Sequence, residues 1–171
     1  MSVSGIKFEG ESEKLYVKTV EGETQKKRGP QRILARFFYI TPEVKKEGRQ
    51  IKHLEGADIT YEDPDCFDKF LEFVKTQTTV YAQLNASFMI GHDRFREKVS
   101  AVKWISAAAT IKERMVYSTT FSAFATKKDL FKVEIADADE LTLANFVNKF
   151  LKEAGGSKIT NFCGKDCQHC D

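Results

Sequence analysis

The stretch Thr79–Ile90 restricts the possible folds more than any other part of the chain. Val80, Ala82, Leu84, Ala86, Phe88 and Ile90 alternate with Tyr81, Gln83, Asn85 and Ser87, the period of two expected of a β-strand. Gly91-His92-Asp93-Arg94 follows as a turn. The next run, Lys98 to Ile105, is therefore expected to return antiparallel as the second arm of a hairpin. Such a hairpin needs apolar cover. Asp63-Pro64-Asp65 marks a helix start, with an acidic cap and proline in the first turn. Behind it Phe67, Phe70, Leu71 and Val74 fall on one helical face. Leu143, Phe146, Val147, Phe150 and Leu151 repeat that spacing in a last helix, which follows the acidic Asp137–Glu140 and stops at Gly155-Gly156.

The other segments extend the same architecture. Arg32 to Ile40 is rich in aromatic and β-branched residues and reads as a strand, with a weaker one near Ile51–Leu54. Residues 1–10 read as a flexible start and 11–20 as a short helix with Leu15 and Tyr16 on one side. From Ile111 a helix runs to near Asp129, with Val116, Thr120, Ala123 and Phe124 as its core stripe. Its Ser118-Thr119-Thr120 hydroxyls compete for backbone hydrogen bonds and are expected to loosen or bend it. Phe131, Val133 and Ile135 alternate with Lys132 and Glu134 in a further strand. Because a helix precedes it, this strand is expected to pair in parallel with one arm of the hairpin. The sum is an α/β (α+β) protein: a mixed sheet of about five strands with helices packed on it. Residues 1–156 form the domain, and residues 157–171, which lack periodicity, read as a mobile cysteine-containing tail.

Composition removes several classes of function. A chain of 171 residues fits one domain with a real core, and its fourteen phenylalanines point to an aromatic one. A net charge of +2 is too small for a general nucleic-acid binder. No apolar run has the length of a membrane span, and the N-terminus lacks the order of a signal peptide, so a cytosolic protein is expected. Lys26-Lys27-Arg28 sits in a charged Gly- and Pro-punctuated loop and reads as a solvated loop or a weak nuclear signal. There is no phosphate-cradling glycine loop, nucleophile elbow or His-Glu-x-x-His, and His53, His92 and His169 lie apart. Surface histidines are expected, and neither an enzyme nor a cofactor is. Cys163, Cys167, His169 and Cys170 crowd the tail, remote from Cys66. Zinc sites use separated ligand pairs, and His169 is wedged between two cysteines, so an oxidation-prone tail is expected rather than a metal site or a redox device.

Two basic clusters are joined through a strand carrying the only tryptophan. Arg94, Arg96 and Lys98 lie on the hairpin; Trp104 lies in its second arm; Lys112 and Arg114 open the following helix beside Met115. Cations at a helix N-terminus oppose the macrodipole at about 0.3–1 kcal/mol each when exposed. Together with an apolar anchor they suit a protein surface with acidic residues around a hydrophobic cleft.

These stretches resemble the actin-depolymerising factor/cofilin family. Met1-Ser2-Val3-Ser4-Gly5-Ile6 is similar to the family's start, and Arg96-Glu97-Lys98-Val99 to its basic hairpin. Trp104 followed by Lys112-Glu113-Arg114-Met115-Val116-Tyr117 keeps the family's spacing, with Glu113 in place of a small polar residue. The resemblance covers roughly residues 2–156 and implies the actin-depolymerising-factor homology fold, a central mixed sheet with helices on both faces. It implies a monomeric, non-enzymatic protein of the cytoplasm and actin cytoskeleton, also nuclear, that binds actin monomers and filaments and promotes severing and depolymerisation. By the family pattern Ser4, Gly5, Lys112, Arg114 and Met115 bind monomers and filaments, and Arg96, Lys98, Lys149 and Lys152 add filament contacts. Ser4 is the implied phosphorylation site, and phosphoinositide headgroups the implied competitors for the basic residues. The final helix and Ala154-Gly155-Gly156 are closer to coactosin, which implies the alternative of a filament side-binder without depolymerising activity.

Overall fold

The computed structural model describes residues 5–20, 32–42, 48–125, 130–152, 154–155 and 157–167. In chain order the elements are β1 (Lys7–Phe8), α1 (Gly10–Val20), β2 (Ile33–Ile40), β3 (Gln50–His53), β4 (Ile59–Thr60), α2 (Cys66–Thr76), β5 (Thr79–Ile90) and β6 (Arg94–Ile105). Then come α3 (Ile111–Ala125), β7 (Phe131–Ile135), a 3-10 turn (Ala138–Glu140), α4 (Leu143–Phe150), β8 (Ile159–Phe162) and β9 (Lys165–Asp166). They build one mixed sheet of order β1-β3-β2-β5-β6-β7, with β4 on β2 and a β8–β9 hairpin on β5. The five principal strands are those expected. β7 lies parallel to β6, from Ser100↔Phe131 to Trp104↔Ile135, as a helical crossover requires.

Both faces of the sheet are covered. Val80, Ala82, Leu84, Ala86, Phe88 and Ile90 face a core closed by α2 and α4, through Phe67, Phe70, Val74, Phe146, Val147 and Phe150. On the opposite face Tyr81, Phe38 and Ala101 meet Tyr16 of α1 and Tyr117, Phe121 and Phe124 of α3. The polar half of the β5 alternation is therefore buried too, and its groups find partners except Gln83 Oε1, which is buried without one. Gln83 Nε2 donates to the Tyr16 carbonyl (3.1 Å) and Asn85 Nδ2 to that of Ile33 (3.3 Å). The Ser87 hydroxyl donates to Tyr61 Oη at 3.0 Å.

Local signals hold with adjustments. The carboxylate that caps the turn before α2 is Asp63, which accepts from Asp65 N at 2.7 Å; Asp65 makes no side-chain cap bond. α4 is capped by Thr142, whose Oγ1 accepts from Asn145 N at 3.2 Å. The buried stripe of α3 is Tyr117, Thr120, Phe121, Phe124 and Ala125. The expected Val116 and Ala123 are only half-buried, because the aromatic pairs Tyr81–Tyr117 (5.1 Å) and Tyr81–Phe121 (5.6 Å) set the helix's rotation. Thr119 Oγ1 bonds back to the Met115 carbonyl at 2.9 Å, yet α3 continues through it to Ala125. Residues 126–129, toward the expected end at Asp129, lie outside the described residues.

The expectation of a mobile tail from residue 157, and with it the boundary at residue 156, is corrected. β8 pairs with β5 at Phe88↔Phe162 and Met89↔Asn161, and the chain turns back at Cys163 (φ +51°) and Gly164 (φ +85°) into β9. Positive φ at both central residues suits a two-residue hairpin turn. Ile159, Phe162, Cys163 and Cys167 are all buried, and Phe162 packs on Phe67 (5.4 Å), Phe150 (5.1 Å) and Phe88 (6.2 Å). The domain thus extends to Cys167. Burial pushes the Cys163 thiol up to about 12, which suppresses thiolate chemistry there. Among the described residues no cluster of His, Cys, Asp and Glu is arranged to hold a metal; Gly156, His169 and Cys170 lie outside them. If residues 159–167 are core, Phe162→Ala costs about 3–5 kcal/mol, read as a lower denaturant midpoint; a value near zero restores the tail reading.

Candidate functional site

The start of α3 is built from the end of β6 outward. Trp104 Nε1 donates to the Gln77 carbonyl (2.7 Å) and Ser106 N to that of Thr78 (2.8 Å), which fixes where the connection leaves the sheet. Thr110 Oγ1 then accepts from Glu113 N at 3.1 Å, the N-cap geometry of a T-x-x-E sequence. Glu113 supplies the acidic first-turn residue that the dipole favours. It is also held in place: Arg49, before β3, reaches Glu113 Oε1 and Oε2 at 3.0 and 3.3 Å while its Nε donates to the Thr41 carbonyl. The substitution that sets Glu113 apart from the family pattern is thus matched by an internal cation. Arg114 donates to the Ala107 carbonyl at 2.8 Å and stays exposed. Lys112 is exposed beside it. Met115 is 62% and Ile111 81% exposed, two of the three large apolar side chains left in solvent among the described residues.

The N-terminal segment arrives at the same end. β1 runs parallel to β3 with Lys7 level with Gln50, so Ile6 and Gly5 continue toward the level of Arg49, the residue that grips Glu113. Gly5 is exposed with φ +70°, and Ile6 is buried against the α3 core. Ser4, the expected phosphorylation site, lies outside the described residues, as do Lys26, Lys27 and Arg28. A groove of about 460 Å³ opens beside Arg114, between Ser118 of α3 and Glu134–Ala136 at the end of β7.

Arg96 and Lys98 stand at the far end of β6. From Arg96 to Ile105 the strand covers about 30 Å. Cross-strand pairing sets Arg94, Arg96 and Lys98 opposite Ile90, Phe88 and Ala86, on the face that α4 covers. The end of α4 reaches this region, since Phe150 packs on Phe88 at 6.0 Å. Lys149 and Lys152 therefore share an end of the molecule with Arg96 and Lys98. The hairpin base is locked from the opposite face. Arg32 pairs with Glu97, donates to Ser87 Oγ (3.2 Å) and lies 4.2 Å over the Tyr61 ring.

Several of these residues escape sequence reasoning. Phe95, 55% exposed near the hairpin tip, pairs across to Met89 and so lies on the opposite face from Arg94 and Arg96, with the Arg32 guanidinium 5.9 Å from its ring centre. It was readable in principle from the Arg-Phe-Arg triplet. Arg49 and Arg32 carry no local signal, because their carboxylate partners lie 64 and 65 residues away. His53 departs from the expected surface histidine: its ring is largely buried and bonds Asp58 at 2.8 Å. His92 is exposed in the turn, as expected.

A mixed sheet thus lies between two helical layers, with exposed cations and apolar side chains at the hairpin end of β6 and at the start of α3. Residues 25–151 match the model of the cofilin/tropomyosin-type actin-binding proteins, and the chain belongs to that family. Solved structures agree on the fold. A cofilin from Streptomyces griseoflavus is 16% identical with TM-score 0.60, covering 85% of this chain and 96% of its own. Human coactosin-like protein is 15% identical with TM-score 0.59, covering 86% and 99%. The ADF-like UNC-60A protein of Caenorhabditis elegans is 20% identical with TM-score 0.58, covering 90% and 98%. A search of curated protein sequences finds no match. Thr110→Ala is expected to lower stability by about 1 kcal/mol and to fray the first turn of α3, measured by denaturant unfolding and by amide exchange at residues 112–114.

Proposed function

We propose that this protein binds actin monomers through the start of α3 and filaments through both ends of the β5–β6 hairpin, and that it promotes filament severing and depolymerisation. The observation that carries the reading is the presence of exposed apolar side chains and cations both at the hairpin end of β6 and at the start of α3, which follows the other end of that strand, about 30 Å along from Arg96 to Ile105. Lys112, Arg114 and Met115, with Ile111 and the Ser4-Gly5 segment beside them, form the surface for the cleft of one actin subunit. Arg96, Lys98, Lys149 and Lys152, with Phe95 as apolar anchor, meet a second subunit. A protein holding two subunits at a fixed spacing stabilises whichever filament twist fits that spacing, and a filament forced toward that twist breaks more easily.

Regulation follows from charge. A phosphate on Ser4 adds about −1.5 to −2 charges near Lys112 and Arg114, repelling an acidic actin surface. Phosphoinositide headgroups compete for the same cations. The protein acts as a monomer in the cytoplasm and, by the same reading, in the nucleus.

Co-sedimentation with filamentous actin tests the activity. Severing and depolymerisation raise the actin left in the supernatant. Pelleting of the protein with supernatant actin unchanged replaces this reading with a coactosin-like side-binder. The Lys112→Ala/Arg114→Ala double variant is expected to lose about 30-fold or more in monomer affinity. Arg96→Ala/Lys98→Ala should weaken filament binding and leave monomer affinity unchanged; the reverse pattern exchanges the two assignments.

A further inference from the structure

The C-terminal hairpin lies beyond residue 151, where the match to the family model ends, and it is built onto the base of the proposed filament-facing loop. β2 pairs with β5 only from Tyr81 to Leu84, and β7 pairs with β6 only from Ser100 to Trp104. Beyond those limits Asn85–Ile90 and Arg94–Val99 would project as a two-stranded ribbon, a structure of marginal stability by itself. β8 fills the vacated edge of β5. Cys163 N donates to the Ser87 carbonyl (2.7 Å) and Gly91 N donates to that of Lys158 (3.1 Å). Thr160 Oγ1 donates to the carbonyl of Gly91 at 2.5 Å, within the turn itself. The other arm of the hairpin is fastened elsewhere. Lys165 Nζ lies 2.6 Å from Asp65 Oδ1 and 2.8 Å from Asp68 Oδ2, at the start of α2. The hydrogen bonds from Lys165 to Asp65 and Asp68 raise its pKa further above the ordinary lysine range, so the clamp keeps its charge.

We propose that the β8–β9 hairpin is a brace that holds the β5–β6 turn, and with it Arg94, Phe95 and Arg96, in the geometry that meets a second actin subunit, with Lys165 as its positioning residue. The proposal rests on the filament reading above. It assigns the segment after residue 156 a role that burial alone does not require. Ile159 and Phe162 fill the core, whereas the Thr160 and Lys165 contacts lie outside it and act on the turn and on the clamp. Pairing on one side also explains how a loop bearing two exposed arginines and an exposed phenylalanine is kept from reorienting. Ordering that loop at the moment of binding would otherwise cost affinity.

The test uses the full chain with two conservative disruptions, Lys165→Met and Thr160→Val, and Lys165→Arg as the rescue. Three quantities are read: amide exchange over residues 91–96, co-sedimentation with filaments, and affinity for monomeric actin. The brace predicts faster exchange at the turn and filament affinity lower by about 2- to 30-fold, the range for residues acting outside a contact. Monomer affinity should be unchanged, and Lys165→Arg should restore filament binding. Filament affinity that stays at the wild-type level in both variants overturns the brace, whatever the exchange shows. Equal losses of filament and monomer binding also overturn it, since they report general destabilisation. A wild-type protein that does not pellet with filaments overturns the proposed function, and the brace with it, which separates the two failures.

Discussion

The β5–β6 ladder is the interaction on which the other features depend. Twelve residue pairs, Thr79↔Ile105 through Ile90↔Arg94, join β5, buried on both faces for most of its length, to β6, buried from Val99 to Val102 and at Trp104 and exposed at its hairpin end. Because side chains alternate across a strand, this one ladder assigns every residue of β5 to one of two cores. A one-residue slip would exchange the Phe88 and Ile90 set with the Gln83 and Asn85 set and leave polar groups in an apolar layer without their partners, so the register is strongly specified. The ladder also sets the distance between the two clusters proposed to face actin. The strand and the five-residue connection 106–110, held at its start by the Ser106 N to Thr78 carbonyl hydrogen bond, separate them.

Aromatic and polar contacts on the α1/α3 face then fix the rotation of α3. Tyr81 Oη donates to the Tyr117 carbonyl, Tyr117 Oη accepts from Ile40 N at 3.0 Å, and Tyr16 Oη donates to the Phe124 carbonyl. Burial pushes the hydroxyls of Tyr16, Tyr81 and Tyr117 up, away from ionisation. Each hydroxyl remains a neutral partner for a backbone group. With Tyr117 and Phe121 turned inward, Met115 and Ile111 are left on the outer side. Their exposure is a consequence of the core rather than of local disorder, and the helix that carries them begins at a capped, ion-paired turn.

Most of the sheet is legible in the sequence because its strands are long and its helices carry strong stripes. β5, α2 and α4 are read directly from periodicity. The aromatic content of β2 and the crossover logic for β7 supply two more elements. β8 is not legible: Ile159 and Phe162 are its only buried residues in the strand, too few to show a period, and its stability comes from the edge that β2 leaves open. The rotation of α3 escapes for a related reason. Several apolar stripes are compatible with its sequence, and the partner Tyr81 selects among them. At the candidate site the helix-start residues are legible because they violate a helix rule without an evident local gain. Arg32, Arg49 and Lys165 are not, since each acts through a carboxylate distant in sequence.

The helix-start cations take on a different weight in the folded protein. Two unmatched positive charges at the positive end of a helix would be a net cost, but Thr110 caps that end and Glu113 sits in its first turn. The Arg49–Glu113 ion pair, largely buried on the arginine side, removes the charge that Glu113 would otherwise present beside Lys112 and Arg114. Burying a charge is tolerable when it is paired and hydrogen-bonded, and here the Thr41 carbonyl completes the arginine's partners. The fold therefore spends Glu113 internally and leaves Arg114 and Lys112 outward. A surface selected only for solubility has no need of Ile111 and Met115 between such cations. An apolar anchor with a cationic rim, mounted on a helix whose rotation the core dictates, is the arrangement that binding to an acidic-rimmed apolar cleft requires.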